Sequence, residues 1–346
     1  MIGSGFVPVW IAAAVLVVVA QIIAPETLSG ISFSAVLPLM SFLAVAALGE
    51  MLVVMTGGID LSIPGVITLA GIVVVGSADG ANDKLAVAIL VCLGWSALIG
   101  LVNGVLVAIA GLNPLIVTLA VGQIVLGIAN ERHDQIVVES AVPPALSDWA
   151  QHKVLGISLL FWTGLAITLL LAVCLRFTII GRRFQAVGAN SRAAWLAGIK
   201  VRRHIVFAYV CAAVLYGAAG IMLAAFTKNP GLGLGDPYLL GPIAAVVIGG
   251  ASLAGGLASV TSTWMAAFAL TLLAQLLRVR GLSTNLQFVV FGAAIAAGMV
   301  ISGDRVVAVL GRVVSRPRVQ AWLGTGGDSP GGEERRDSSI GHRGEE

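Results

Sequence analysis

The sequence predicts an all-α integral membrane protein with about ten transmembrane helices, some of them short or broken. Charged residues make up 11% of the 346 residues and hydrophobic residues 58%, whereas an ordinary soluble domain holds about 25% charged residues. A soluble fold could not hide so much apolar surface from water. The apolar residues also form long continuous runs, unlike the alternating strands of a membrane barrel. These observations exclude a soluble enzyme, a nucleic-acid-binding protein and a disordered protein.

Several runs are long and apolar enough to cross the bilayer, since about 20 such residues span its hydrocarbon core. Three of the runs, 62–78, 114–130 and 238–256, are short or interrupted by Gly and Pro, which predicts that some of them are broken or re-entrant. The predicted spans are 6–24, 33–55, 62–78, 85–110, 114–130, 156–175, 205–226, 238–256, 260–278 and 284–302.

The basic residues predict the orientation. With the N-terminus inside, 14 of the 20 Lys and Arg residues lie on the cytoplasmic side, in 176–204 and after residue 302. An excess of Lys and Arg is typical of cytoplasmic segments, so both termini are predicted to be cytoplasmic. The predicted domains are a transmembrane domain over 1–302, a basic interfacial segment over 303–323 and a disordered polar tail over 324–346.

A carboxylate interrupts the apolar sequence at residues 53–65, VVMTGGIDLSIPG. Unwound backbone at membrane depth is tolerated only inside protein or beside a water-filled cavity. The segment is therefore predicted to line or gate a solute pathway. The alternative is a short cytoplasmic turn in which Asp60 caps the next helix. The candidate residues here are Thr56, Gly57, Gly58, Asp60 and Ser62.

Further pathway candidates lie elsewhere in the spans. Glu50 is a carboxylate within a span, where such groups face a cavity or the protein interior; a structural or hydrated glutamate is the favoured alternative. Polar residues on the fourth and fifth spans contact either a solute or a neighbouring helix: Asn103, Asn113, Thr118 and Gln123. Gly249 and Gly250 repeat the Gly-Gly pair with an offset of 192 residues, which indicates two related halves or chance in a Gly-rich chain.

A basic amphipathic segment occupies residues 177–204, FTIIGRRFQAVGANSRAAWLAGIKVRRH. Ser191 is a suitable N-cap and Gly198 a suitable C′ residue for a short helix over 192–197. Trp195, Leu196 and Ile199 would then form an apolar knob with basic flanks. Such a knob either fills a groove on a partner or lies on anionic lipid headgroups.

Single features of the sequence also invite functions other than passage of a solute. The Gly-rich stretch 230–263 lacks the G-x-x-x-x-G-K-[ST] pattern, which occurs nowhere in the chain, so no P-loop is predicted. The intramembrane acids also fit an ion-coupled secondary transporter or channel. Ser252 invites an intramembrane serine hydrolase, but no His lies well inside a span to act as its base. The three cysteines lie within spans, and neither a disulfide nor a metal site is predicted.

Over residues 30–302 the chain is similar to permease subunits of bacterial ABC importers, in the family of the ribose and other monosaccharide permeases. The resemblance rests on residues 47–71, 100–120, 181–203 and 244–263, which read ALGEMLVVMTGGIDLSIPGVITLAG, GLVNGVLVAIAGLNPLIVTLA, GRRFQAVGANSRAAWLAGIKVRR and AAVVIGGASLAGGLASVTST. Glu50 departs from the uncharged residue expected at its position.

The resemblance implies a non-enzymatic subunit that moves a monosaccharide or similar small polar solute across the bacterial inner membrane. It implies three protein partners: a cytoplasmic ATPase that binds the ATP and Mg, a second permease subunit and a solute-binding protein. No cofactor or nucleic acid is expected on this chain. Residues 186–199 would dock into the ATPase, with the contributing positions Ala186, Val187, Gly188, Asn190, Ala194, Trp195, Leu196, Gly198 and Ile199.

Overall fold

The computed structural model describes residues 7–136, 141–282, 286, 288–293 and 296. The predicted segments 303–323 and 324–346, and most of the predicted span 284–302, lie outside the described residues. The described part is mostly helical. Its elements are α1 Val7–Ile23, α2 Gly30–Met55, α3 Ile63–Ala78, α4 Leu85–Ala108, α5 Pro114–Ile136, α6 Pro144–Gln151, β1 Lys153–Val154, β2 Ile157–Ser158, α7 Leu159–Phe177, α8 Ile179–Ala189, α9 Ser191–Leu196, α10 Val201–Thr227, α11 Gly241–Ile248 and α12 Val260–Val279.

Among the described residues, six helices are long and apolar enough to cross a membrane. They are the segments Ser32–Met55, Leu85–Ala108, Pro114–His133, Leu159–Phe177, Val201–Thr227 and Val260–Val279. Three shorter apolar helical segments accompany them, at Val7–Ile23, Ile63–Ala78 and Asp236–Ile248. These segments overlap the first nine predicted spans, and the protein is a helical, multi-pass membrane protein.

The core lies where α2, α3 and α10 pack together. Nearly every side chain of α3 is buried, whereas α4, α5 and α7 expose many large apolar residues on their outer faces. Gly100 and Gly104 let α4 approach α10 closely, because a methyl group on either would meet the α10 backbone at Tyr209 or Val206. Small residues four apart permit such close helix packing in lipid.

The predicted span 238–256 contains only a half-length helix, α11, preceded by a 3₁₀ turn at Asp236–Tyr238 and followed by an irregular segment to residue 259. Glycine causes the break. Gly250, Gly255 and Gly256 all have positive φ, at 82°, 96° and 88°, a region that other residues enter only with strain. The interruption that the sequence predicted for this span is therefore present.

A small hairpin departs from the all-α prediction. β1 and β2 pair antiparallel, with Lys153 opposite Ser158 and Val154 opposite Ile157. The two connecting residues, Leu155 and Gly156, have φ of 53° and 78°, as a two-residue hairpin turn with matching twist requires.

Candidate functional site

The first broken helix begins where α2 ends in a glycine cap. Gly57 has φ of 85°, and its N–H donates to the Val54 carbonyl at 2.9 Å. The N–H of Gly58 donates to the Val53 carbonyl at 3.2 Å, which completes a Schellman motif. The chain leaves α2 at this point, and residues 56–62 fold back along the interior.

Glu50 holds this folded-back loop in place. Both of its carboxylate oxygens accept the backbone N–H of Asp60, each at 3.2 Å. Its Oε2 also accepts the hydroxyl of Tyr216 on α10, at 3.1 Å. All three residues are fully buried. The geometry gives Glu50 a structural role, the alternative that the sequence favoured.

Asp60 and Ser62 continue the network towards α4. Oδ1 of Asp60 accepts the Ser62 N–H at 2.8 Å and the Ser62 hydroxyl at 2.6 Å. Asn103 of α4 donates from Nδ2 to the Ser62 hydroxyl oxygen at 3.0 Å. Asp60 therefore does not cap α3 in the usual way, because it precedes the N-cap residue Ser62.

Thr118 ties the same loop to α5. Its hydroxyl oxygen accepts the Leu61 N–H at 2.9 Å, and the hydroxyl donates to the Pro114 carbonyl at 2.9 Å. Thr118 is fully buried. Side chains from α2, α4, α5 and α10 thus fix one short segment of unwound backbone. We call Glu50, Asp60, Ser62, Asn103, Thr118 and Tyr216, together with Tyr209, which packs against Gly58 of the loop without a hydrogen bond, the loop-holding network.

The loop-holding network is buried and contains two carboxyl groups, those of Glu50 and Asp60. Within the described part of the chain, no Lys, Arg or His forms an ion pair with Glu50 or Asp60. Three buried atoms of the network have no hydrogen-bond partner among the described residues: Asp60 Oδ2, Asn103 Oδ1 and the Tyr209 hydroxyl. The side chains of the network are buried in the single chain, and their hydrogen bonds hold the broken helix in this conformation.

Four other pathway candidates from the sequence, Thr56, Gly57, Gly58 and Asn113, are not members of this network. Thr56 is half-buried, Gly57 is exposed, and Gly58 is buried against Tyr209, whose hydroxyl a methyl group on Gly58 would meet. Asn113 is exposed, and its Oδ1 accepts the Leu115 N–H at 2.9 Å at the start of α5.

Sequence analysis missed Tyr209 and Tyr216. The chain has only three tyrosines, and these two are seven residues apart, which places them on one face of α10. Scarcity and spacing together could have identified them.

Gly249 and Gly250 form the second break in the same way as the first. The Gly250 N–H donates to the Val247 carbonyl at 3.0 Å, and the Ala251 N–H donates to the Val246 carbonyl at 3.1 Å. The left-handed residues of the two caps are Gly57 and Gly250, so the structural repeat is shifted by one residue from the sequence repeat. The two loops also touch, because the Gly256 N–H donates to the Met55 carbonyl at 3.0 Å.

The basic segment folds into α8 and α9, joined by a sharp cap. Oδ1 of Asn190 accepts the Ala193 N–H at 2.9 Å, so Asn190 is the N-cap of α9. The expected N-cap, Ser191, was wrong; it lies in the first turn, and its hydroxyl donates to the Val187 carbonyl at 2.9 Å. Asn190 has the extended backbone that a cap requires. Gly198, with φ of 78°, ends the helix as expected.

Seven of the nine candidate docking residues divide into two groups by exposure; the other two, Asn190 and Gly198, are exposed and cap α9. Trp195 and Leu196 protrude, with 69% and 78% of their surfaces exposed. Five others are buried or half-buried and anchor α9 to the body of the protein: Ala186, Val187, Gly188, Ala194 and Ile199. Ile199 was expected in the exposed knob and instead belongs to the anchored group, which holds the two protruding side chains in place.

An exposed polar stripe on α5 includes Gln123, which the sequence singled out, and Asn130, which it did not. Both are exposed on a helix long and apolar enough to span a membrane; Gly127 lies between them at helical spacing, and Ala120 lies one turn before Gln123. Asn113 comes directly before α5, seven residues ahead of Ala120, and so lies in line with the same face of the helix. Polar side chains that face lipid are costly, so such a stripe faces protein or water. Extending the 3–4 spacing from Asn113 would have located it.

Residues 32–299 match the family described as "Branched-chain amino acid transport system / permease component". The chain is 31% identical over 281 residues to a probable ABC transporter permease protein, y4mJ of Sinorhizobium fredii, covering 80% of this chain and 83% of that relative. It is 32% identical over 265 residues to the L-arabinose ABC transporter permease protein AraH of Azospirillum brasilense, covering 75% of each.

It is also 30% identical over 298 residues to the ribose import permease protein RbsC of Escherichia coli K12, covering 85% of this chain and 92% of that relative. No solved structure matches. A transport component gives no support to the serine hydrolase considered for Ser252. The match over residues 32–299 and the identity to these relatives show that the chain belongs to the family of branched-chain amino acid transport system permease components.

Proposed function

We propose that this chain is the permease subunit of an ATP-binding-cassette importer for a monosaccharide or similar small polar solute. Relatives of about 30% identity are named for arabinose and ribose. The chain would move the solute while a separate ATPase binds ATP and Mg and a solute-binding protein delivers the cargo.

The observation that carries this proposal is the exposed pair Trp195 and Leu196 on α9. A groove of about 560 Å³ lies beside Trp195, and its lining residues include Arg192, Lys200, Arg202 and Arg203. Large exposed apolar residues rimmed by charge are typical of protein interaction sites. We assign this surface to the ATPase, and positions 186–199 to the docking segment.

The solute path is proposed to follow the polar stripe of α5. The loop-holding network is buried, whereas Gln123 and Asn130 are exposed on the apolar helix α5. A second permease subunit, either a copy or a similar chain, would cover this face and enclose the path between the two subunits. Movement at the two helix breaks, Gly57–Gly58 and Gly249–Gly250, would open or close the ends of the path.

The topology follows from the same proposal. Ten spans in the bacterial inner membrane, with both termini cytoplasmic, would place the α8–α9 segment on the ATPase side. The basic segment 303–323 would lie at the interface and 324–346 would form a polar tail.

The test is Trp195→Glu in a complex reconstituted with the ATPase and binding protein. Loss of a buried hot-spot side chain weakens binding by about 2–4 kcal/mol, or roughly 30-fold or more, so solute-stimulated ATP hydrolysis should fall accordingly. Trp195→Phe, which keeps an apolar ring, is the matched control and should retain most of it. Stimulated hydrolysis at the wild-type rate in Trp195→Glu would refute the docking role.

A further inference from the structure

Three segments far apart in sequence meet backbone to backbone beside the docking segment. They are the end of α2 at Met55–Gly57, the end of α8 at Gly188–Ala189 and the loop residues Gly255–Gly256. Their contact includes the 3.0 Å hydrogen bond from the Gly256 N–H to the Met55 carbonyl. We call these residues the glycine junction.

No side chain fits inside the glycine junction. A methyl group on Gly188 would overlap the Met55 carbonyl oxygen and lie 2.6 Å from Gly256 N. One on Gly255 would lie 2.9 Å from the Gly188 carbonyl oxygen and 3.2 Å from Gly57 N. One on Gly256 would lie 3.0 Å from Ala189 Cα. Contacts between backbones lack the rotamer freedom by which side chains absorb small movements.

The junction connects the exposed knob to both broken helices through short, capped links. On one side, Asn190 and Ser191 lock α9 onto the end of α8 by the hydrogen bonds to Ala193 and Val187. On the other side, Gly57 opens the loop that carries Asp60, and Gly256 belongs to the loop between α11 and α12. A displacement of α9 therefore reaches both loops without passing through a flexible side chain.

We propose that the glycine junction is the mechanical link of the transporter, with Gly256 as its positioning residue. Movement of the docked α9 would shift the 56–62 and 249–259 loops together and so couple ATP hydrolysis to the opening of the path. This inference rests on the proposed function and adds to it a specific route from the ATPase to the membrane interior.

The experiment introduces Gly256→Ala into the complete complex. Gly256 lies outside the docking segment 186–199, and the added methyl group, 3.0 Å from Ala189 Cα, pushes the loop away from the end of α8. The ATPase should still co-purify and hydrolyse ATP at its basal rate, while solute transport per ATP falls by about 10²-fold, as expected when a remote change misplaces a working part by about 1 Å. Gly94→Ala on α4, where nothing lies within 4 Å of the added methyl group, is the matched control and should transport normally.

A labelling measurement distinguishes coupling from general structural damage. Ala254, exposed in the 249–259 loop, is replaced by Cys in a background with Cys174→Ser and Cys211→Ala, since Cys92 is buried. Maleimide labelling of this site should change with nucleotide state in the otherwise normal complex and stay constant with Gly256→Ala. Nucleotide-dependent labelling and normal transport in Gly256→Ala would overturn the inference.

A second variant covers the case in which Gly256→Ala fails to fold. Two glycines inserted between Ala251 and Ser252, in irregular backbone outside the docking segment, leave the junction packing untouched but loosen its link to α11. This variant should bind the ATPase and lose transport in the same way; normal transport would overturn the inference. Failure of the proposed function is recognised separately, because then the ATPase would not bind the wild-type chain.

Discussion

Two buried tyrosines on α10 allow the loop-holding network to be tested by a matched pair of substitutions. Tyr209 and Tyr216 are both fully buried on the same helix, so replacement by Phe removes the same atom and leaves the same packing. Only Tyr216 donates a hydrogen bond, to Glu50 Oε2 at 3.1 Å. Within the described residues the Tyr209 hydroxyl has no partner.

The effects of the two substitutions on the free energy of unfolding should therefore differ in sign or in size. A hydrogen bond to a carboxylate contributes about 1.5–3 kcal/mol, so Tyr216→Phe should lower the free energy of unfolding by about 2 kcal/mol. A buried hydroxyl without a partner is unfavourable by about 1–3 kcal/mol. Tyr209→Phe should therefore be neutral or stabilising.

Reversible unfolding of the purified chain in mixed micelles, titrated with a denaturing detergent, measures both differences. Circular dichroism of the helices supplies the signal. The network reasoning is refuted if Tyr209→Phe destabilises the chain more than Tyr216→Phe does.

Two further predictions concern the docking segment and the proposed path. Asn190→Ala removes the N-cap of α9 and should cost about 1 kcal/mol of local helix stability; hydrogen exchange at Ala193 should accelerate, whereas Ser191→Ala should leave that amide unchanged. Gln123→Leu should reduce transport in the reconstituted complex while leaving the unfolding free energy within about 0.5 kcal/mol of wild type, because Gln123 is exposed in the single chain; unchanged transport would remove α5 from the path.

The positions of the helix breaks could be predicted from the sequence because glycine acts locally. Gly57 and Gly250 adopt left-handed backbone that other residues avoid, and their pairing with a neighbouring Gly is visible in the sequence. The end of α9 at Gly198 follows the same rule. Local chemistry was less decisive at Asn190 and Ser191, because both are good N-caps and packing of α8 selects between them.

The loop-holding network could be predicted only as scattered parts. Glu50, Asp60, Asn103 and Thr118 each stood out as polar residues in apolar surroundings. Their assembly depends on how α2, α4, α5 and α10 pack, which the sequence pattern does not encode. The backbone contacts of Gly188 were hidden as well, because its partners Met55 and Gly256 lie more than 60 residues away in the sequence.

The most direct test of the central claim is uptake of labelled pentoses and hexoses into proteoliposomes. The account predicts uptake only when the chain is reconstituted with its ATPase, the binding protein is supplied and ATP is present. Uptake by the purified chain alone, driven by an ion gradient without ATP, would contradict the account and identify an ion-coupled transporter instead.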